Sequence, residues 1–312
     1  MRLTALAPGK TNLCLLLGGT RADGLHELLS VIEPLSLADE LTLEMPHPAR
    51  PALVAAAPGG GDMGCAAGED EVVCAGVEGP NLAGAALAAF RAASGWDGPP
   101  LRLTIAKRVP VAAGMGGGSG DAAAALRLVA RAAERQADDP LLVQLAPQLG
   151  ADVPSQIAPG PVLVGGAGEE LQPLAPLPPH GVLVLPSPHA LATPDVFREA
   201  DRLGLGRSAD ELAALRAQLL AAFAEASPSA GASPAASRPP LPPELLVNDL
   251  APAARSLCPS IDDALAAARA AGADHALVSG SGPTVVGLFA GADGPAAADA
   301  AARELQGRFP GA

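Results

Sequence analysis

Five glycines crowd into the seven positions 114–120, GMGGGSG, and the residues that follow, DAAAAL, read as the opening of a helix. Glycine loses more backbone freedom on folding than any other residue, so such a cluster is costly unless backbone must pass close to something. A helix start with several unpaired N–H groups at the positive end of its dipole offers a reason, a polyphosphate. A loop that needs only flexibility would carry more polar residues between its glycines. The Walker pattern requires Gly-Lys-Ser or Gly-Lys-Thr at the loop end, and here Ser119 follows Gly118 with no lysine. A dinucleotide fingerprint is formally contained in the run, but it belongs to a βαβ unit of a parallel sheet. The flanking strand pattern here is antiparallel, which leaves a Rossmann dehydrogenase as the weaker alternative. Phosphate binding for phosphoryl transfer is the chemistry this segment predicts.

The elements around the loop must position it. RLTAL (2–6), NLCLLLG (12–18) and ADELTLEM (38–45) predict three strands of one mostly antiparallel sheet. Asn81 caps a helix NLAGAALAAFRAA, LRLTIAKRV returns as a strand, and Pro110 ends it. Past the glycines, Ser119 or Asp121 is expected to cap DAAAALRLVARAAER, and DPLLVQLAPQL is expected to end at a C-cap glycine, Gly150. Beyond about residue 160 comes a second set: a strand GVLVLP and a helix opened by Thr193-Pro194. Then follow a helix with a capping box from Ser208 to Glu211, a helix SIDDALAAARAAG, strands HALVS and TVVGLF, and a last helix near 295–306. Antiparallel strands with helices on one face predict an α+β chain of two domains, 1–160 and 161–312. Residues 46–70 and 226–243 are rich in helix and strand breakers and lack periodicity, so they read as flexible surface insertions.

Composition narrows the partners. A net charge of −13 over 312 residues disfavours nucleic acid and anionic membranes, so an anionic substrate must be met by local donors. Four cysteines, Cys14, Cys65, Cys74 and Cys258, show neither metal spacing nor a disulfide framework and read as reduced, buried thiols. No secretory signal and no apolar run near the roughly 20 residues of a bilayer span is visible, and a cytoplasmic location is expected. Nothing in the pattern distinguishes a monomer from a homodimer.

The loop, with its preceding proline, resembles the phosphate loop of the GHMP kinase superfamily. Two further signatures of that superfamily flank it, APGKTNLCL at 7–15 and SGSGPTVVGLF at 279–289. RADGLHEL (21–28), GADVP (150–154), TPDVF (193–197) and NDL (248–250) are similar to the branch that acts on 4-diphosphocytidyl-2-C-methyl-D-erythritol in the non-mevalonate isoprenoid route. The resemblance implies a two-domain GHMP kinase fold. Its N-terminal domain would be a mostly antiparallel sheet with helices that binds ATP, and its C-terminal domain a ferredoxin-like α/β sandwich. It implies phosphorylation of the 2-hydroxyl of that small-molecule substrate, with ATP and Mg²⁺ as cofactors. Relatives acting on homoserine or mevalonate, and a catalytically silent nucleotide sensor, are the alternatives.

Residue by residue, the resemblance makes Lys10 a catalytic lysine near the transferred phosphoryl group and Asp152 the carboxylate that orients or deprotonates the acceptor hydroxyl. ATP phosphates fall on Pro110, Val111, Ala112, Ala113, Gly114, Met115, Gly116, Gly117, Gly118, Ser119 and Gly120, with the Ser119 hydroxyl facing a phosphate oxygen or Mg²⁺. Asn81 and Lys107 match the adenine side. Asn12, Leu25, His26, Thr193 and Phe197 match the substrate pocket, His26 bonding cytosine and Phe197 stacking on it, while Asn248 and Asp249 order the second domain. Two departures stand out. Leu25 occupies a place where the family usually carries an aromatic, and Gly120-Asp121 replaces serine or alanine followed by asparagine. Asp121 thereby brings a negative charge close to the phosphates.

Overall fold

A computed structural model describes residues 1–45, 69–77, 79–111, 113–136, 138–226 and 239–312. The expected insertion at 46–70 lies almost wholly outside the described residues, as does most of that at 226–243, together with Cys65 and Ala112. The chain opens with two long strands, β1 (Arg2–Thr20) and β2 (His26–Glu44), which pair with each other. The sequence predicts a break at APGK, yet β1 runs through it, because proline's fixed φ is compatible with an extended chain. Then follow β3 (Glu71–Cys74), α1 (Leu82–Ser94), β4 (Arg102–Ala106), α2 (Gly117–Ala132), α3 (Pro140–Leu149), α4 (Val153–Ile157), β5 (Val162–Gly165) and β6 (Glu170–Pro173). The remainder is β7 (His180–Leu185), α5 (Thr193–Leu203), α6 (Ala209–Ala226), a 3₁₀ turn at Pro243–Leu245, α7 (Ala251–Leu257), α8 (Ser260–Ala270), β8 (His275–Val278), β9 (Val285–Ala290) and α9 (Gly294–Leu305).

These elements form two compact units, each discontinuous in sequence. The first contains residues 1–7, 37–108 and 118–157. In it the end of β2 pairs antiparallel with β4, from Glu40 opposite Ala106 to Glu44 opposite Arg102, and β4 pairs parallel with β3. Its core centres on α2, where Ala122–Leu126 and Leu128–Ala130 are all completely buried. Alanine is the best helix former and its methyl lets neighbouring elements approach closely, so this helix can be enclosed on nearly every side.

The second unit contains residues 8–36, 109–117 and 158–312. There Ser30–Ile32 of β2 pair antiparallel with β5, and β5 with β6. A separate antiparallel sheet in the order β7-β9-β8 carries α8 and α9 packed against it. The capping box forms as the spacing predicts: Ser208 N donates to Glu211 Oε2 at 2.8 Å, and Glu211 N to Ser208 Oγ at 3.3 Å. Asn81 and Asp139 cap α1 and α3 through their side chains. Gly150 follows α3 as its C-cap, as the sequence predicts, with extended dihedrals of φ 160° and ψ 157°. Among the described residues no helix is long and apolar enough to cross a membrane. Burial pushes the Cys14 thiol up to about 12, which leaves it chemically quiet.

A buried ion pair in the second unit makes stability depend on pH. His180 Nε2 lies 2.9 Å from Glu33 Oε2 and its Nδ1 lies 2.8 Å from the Pro178 carbonyl, so both ring nitrogens face acceptors, as only imidazolium can satisfy. Burial alone would lower the imidazole's pKa, but the Glu33 hydrogen bond and charge overrule it and raise it above 6.5. A raised folded-state value gives stability that is complete below the unfolded value and is lost as pH climbs through the folded one. Thermal melts from pH 5.5 to pH 8.5 should therefore show a fall that His180→Gln removes, and the substitution should cost about 1–3 kcal/mol at the acid end. Parallel pH curves for the two proteins would contradict this.

Candidate active site

In the second unit the site begins with a lysine that is buried despite its charge. Lys10, on β1, is 5% exposed, and its Nζ donates to Asn12 Oδ1 at 3.0 Å. Asn12 Nδ2 donates to Ser30 Oγ on β2 at 2.8 Å, and the Ser30 hydroxyl donates to the Cys14 carbonyl at 2.6 Å. The direction of this relay is forced. An ammonium can only donate, so the Asn12 amide must turn its oxygen toward Lys10 and its NH₂ toward Ser30. Lys10 N also donates to the Met115 carbonyl at 2.9 Å, which ties the strand to the glycine loop.

A second glycine-bearing segment, Ser279–Thr284 between β8 and β9, clasps both. Ser279 Oγ lies 3.2 Å from Thr11 Oγ1 and accepts from Asn12 N at 3.4 Å. Thr284 Oγ1 donates to the Ala113 carbonyl at 2.5 Å. Asn248 anchors the clasp from behind: its Nδ2 donates to the Val278 and Gly280 carbonyls, both at 2.7 Å, while its Oδ1 accepts from Leu250 N at 2.9 Å. Asp249, next in sequence, accepts from Leu17 N at 3.0 Å and from Arg207 through both carboxylate oxygens, which steadies β1. The glycine density therefore has a cause besides a ligand. Gly114 sits at φ +70°, and a Cβ there would stand 3.2 Å from the Gly282 carbonyl oxygen. At Gly280, φ is +58° and a Cβ would lie 3.3 Å from Asn12 Oδ1 and 3.7 Å from Lys10 Nζ. Gly280→Ala should thus strain this turn and press on Asn12 Oδ1, the acceptor that holds Lys10, at a cost of about 1–3 kcal/mol that a lowered melting temperature would show.

The loop from Val109 passes through Ala113 and Met115, both buried, and through Val111, which is exposed, into α2. The helix begins at Gly117, so neither Ser119 nor Asp121 is its cap, contrary to expectation; both lie in its opening turns. Glycine tolerates helical as well as extended dihedrals, so the helix starts earlier and its first N–H groups belong to glycines and Ser119.

The first unit holds the other candidates. Lys107 Nζ donates to Asp39 Oδ2 at 2.5 Å and to Asp121 Oδ2 at 2.9 Å, and Arg108 N donates to Asp39 Oδ1 at 2.5 Å. Lys107, matched by resemblance to the adenine side, thus has its ammonium engaged by two carboxylates. Burial pushes the Asp121 acid up to about 6, against the pull of Lys107 and with the Asp39 charge assisting. Its Oδ1 is buried without a hydrogen-bond partner among the described residues. Asn81, also matched to the adenine side, accepts from Ala83 N at 2.8 Å as the cap of α1. Asp152 stands immediately before α4, where its carbonyl accepts from Ser155 Oγ at 2.8 Å and Gly150 O accepts from Val153 N at 3.2 Å.

The remaining candidates gather in the second unit. The His26 ring lies 5.1 Å from that of Phe197 on α5, tilted by 36°, and its Nε2 lies 2.7 Å from Asp201 Oδ1, one turn further along the same helix. Leu25 beside it is 55% exposed. Thr193 Oγ1 lies 3.0 Å from Ser281 Oγ of the clasp. Sequence reasoning missed Ser30, Asp39 and Asp201. None carries a local signal, because each is defined only by the side chain that folding brings to it. Ser279 and Thr284 lie within the quoted SGSGPT segment but had no assigned role.

Among the described residues no group of three or more His, Cys, Asp or Glu could hold a metal ion. The oxygens at the start of α2, the Ser119 hydroxyl and the unpartnered Asp121 Oδ1, suit a hard cation that arrives on phosphates with most of its own waters.

Residues 81–161 match the GHMP kinases N terminal domain and residues 212–311 match the GHMP kinases C terminal domain. The 4-diphosphocytidyl-2-C-methyl-D-erythritol kinase of Anaeromyxobacter dehalogenans strain 2CP-1 is 39% identical over 313 residues, 100% of this chain and 87% of the relative. The protein of that name from Streptomyces coelicolor is 39% identical, covering 96% of this chain and 91% of its own. A crystal structure of 4-(cytidine 5'-diphospho)-2C-methyl-D-erythritol kinase superposes with a TM-score of 0.71 at 31% identity, covering 98% of this chain and 96% of the other. Homoserine kinase from Cytophaga hutchinsonii superposes with a TM-score of 0.65 at 14% identity, covering 97% and 90%, a likeness of fold alone.

Proposed function

This chain belongs to the GHMP kinase family, and from that premise we propose that it transfers the γ-phosphoryl group of ATP to the 2-hydroxyl of 4-diphosphocytidyl-2-C-methyl-D-erythritol, a step of non-mevalonate isoprenoid precursor synthesis. The observation that carries this reading is end-to-end likeness to relatives of that name, 37% to 40% identical over 98% to 100% of the chain. Homoserine kinase and mevalonate kinase, at 14% and 16%, share only the fold.

Phosphoryl transfer asks a protein for positioning and charge neutralisation more than for covalent chemistry. ATP phosphates rest on residues 110–120, where the free N–H groups at the start of α2 receive them. The ammonium of Lys10, desolvated and aimed by Asn12, meets charge developing on the transferred group. Asp152 orients the acceptor hydroxyl and takes its proton. Lys107, shared with Asp39, offsets part of the negative charge that Asp121 would bring near a phosphate. Mg²⁺, when bound with ATP, would neutralise phosphate charge, and the Ser119 hydroxyl and Asp121 Oδ1 are the protein oxygens that would hold it. His26 and Phe197 receive the cytosine ring. Leu25 packs on it without the stacking geometry an aromatic would supply.

An ADP-release assay with the cytidyl substrate, homoserine and mevalonate tests the reading. Turnover with the cytidyl compound alone is expected. Turnover with homoserine or mevalonate but not the cytidyl compound would overturn the substrate, and ATP binding with no turnover on any alcohol would favour a silent sensor.

A further inference from the structure

Arg127 projects from the middle of α2, a helix otherwise lined there with alanine and leucine. Among the described residues its partners are backbone carbonyls only: Nη1 donates to Gln156 O at 2.6 Å and to Ile157 O at 3.3 Å, and Nη2 to Leu6 O on β1 at 2.9 Å. Burial lowers its pKa, with no carboxylate acting in the opposite sense. A cation in such a place, bonded to no acid, needs a purpose that ion pairing does not supply.

The carbonyls it holds identify one. Gln156 and Ile157 are the last two residues of α4, whose five residues make little more than one turn. The last four carbonyls of any helix lack partners within it, and a helix this short does not persist without tertiary support. A guanidinium across its C-terminal end satisfies those carbonyls and complements the negative end of the dipole. The opposite end of the same turn begins at Val153, and Asp152 is the residue immediately before it. Any fraying or rotation of α4 is therefore passed to the Asp152 carboxylate. We propose that Arg127 is a positioning residue for Asp152: by closing the C-terminal end of α4 and tying it to β1 and to the phosphate-loop helix, it fixes where the carboxylate stands. This rests on the assignment of Asp152 as the group that handles the acceptor hydroxyl.

The test is a cycle of Arg127→Met, Asp152→Asn and the double variant, read as kcat and KM for both substrates. Misplacing a catalytic group by about 1 Å costs on the order of 10²-fold, so Arg127→Met should lower kcat by roughly 10- to 100-fold while KM for ATP changes by less than about threefold. In the Asp152→Asn background the same change should cost less than about twofold, because a group that acts through Asp152 has nothing left to position. Arg127→Lys, which keeps a donor but loses the fork, should recover part of kcat, as should added guanidinium with Arg127→Gly. Full kcat for folded Arg127→Met or Arg127→Lys would overturn the proposal. So would losses that multiply in the double variant, which mark a general structural role. Near-normal kcat for Asp152→Asn would instead remove the assignment of Asp152 itself.

Discussion

Replacing Lys10 with methionine should lower kcat by about 10²- to 10³-fold while ATP still binds with nearly unchanged affinity, the effect expected on removing one preorganised charge from a developing oxyanion. Methionine fills much the same volume, so the strand can keep its path, but it offers no donor to Asn12 Oδ1, which sits 3.0 Å from the ammonium in the intact protein. Asn12 and Ser30 are buried with it, so no solvent is at hand to replace the lost bond. Arginine should restore little. The lysine is only 5% exposed, and a guanidinium is far larger than an ammonium. On the proposed reading the first N–H groups of α2 receive the phosphates without the lysine, so ATP affinity should survive. Single-turnover rates beside calorimetric ATP binding decide the matter. A kcat within tenfold of wild type would take Lys10 out of the chemistry.

Asp152→Asn is expected to be comparably severe, lowering kcat by about 10²- to 10⁴-fold, the usual worth of a general base, with ATP binding intact. The two side chains are nearly isosteric, and the Asp152 contact with Ser155 runs through the backbone carbonyl, so the turn before α4 should keep its shape. An amide can accept a hydrogen bond from the acceptor hydroxyl but cannot take its proton. Comparison with Asp152→Ala separates the contributions. If asparagine retains most of kcat and alanine does not, the residue orients the hydroxyl and does not deprotonate it.

Local signals in the chain were enough for a good deal of this protein. The capping box at Ser208 and Glu211 and the Asn81 cap form as their residue types require, since each depends on neighbours a few positions away, whereas β4 stops at Ala106, ahead of the Pro110 expected to end it. The glycine run at 114–120 announced a close approach and a helix start, and both are present. Where local reasoning failed, a competing local solution existed: glycines that also accept helical dihedrals moved the start of α2 ahead of Ser119, and Pro8 did not break β1.

What the sequence determined by itself is the set of groups on offer, a glycine-rich loop opening a helix in an acidic chain with a small set of ordered motifs around it. Only the tertiary structure decided what each group is paired with. Ser279 meets Thr11 across 268 positions, Thr284 reaches Ala113 across 171, and Lys107 gathers Asp39 and Asp121 from separate elements. Such pairings carry no local trace, because a hydrogen bond formed on folding places no demand on the residues beside it in the chain. They explain how Asp121 is held within α2 beside a cation, and why Gly114 serves the clasp packed against it.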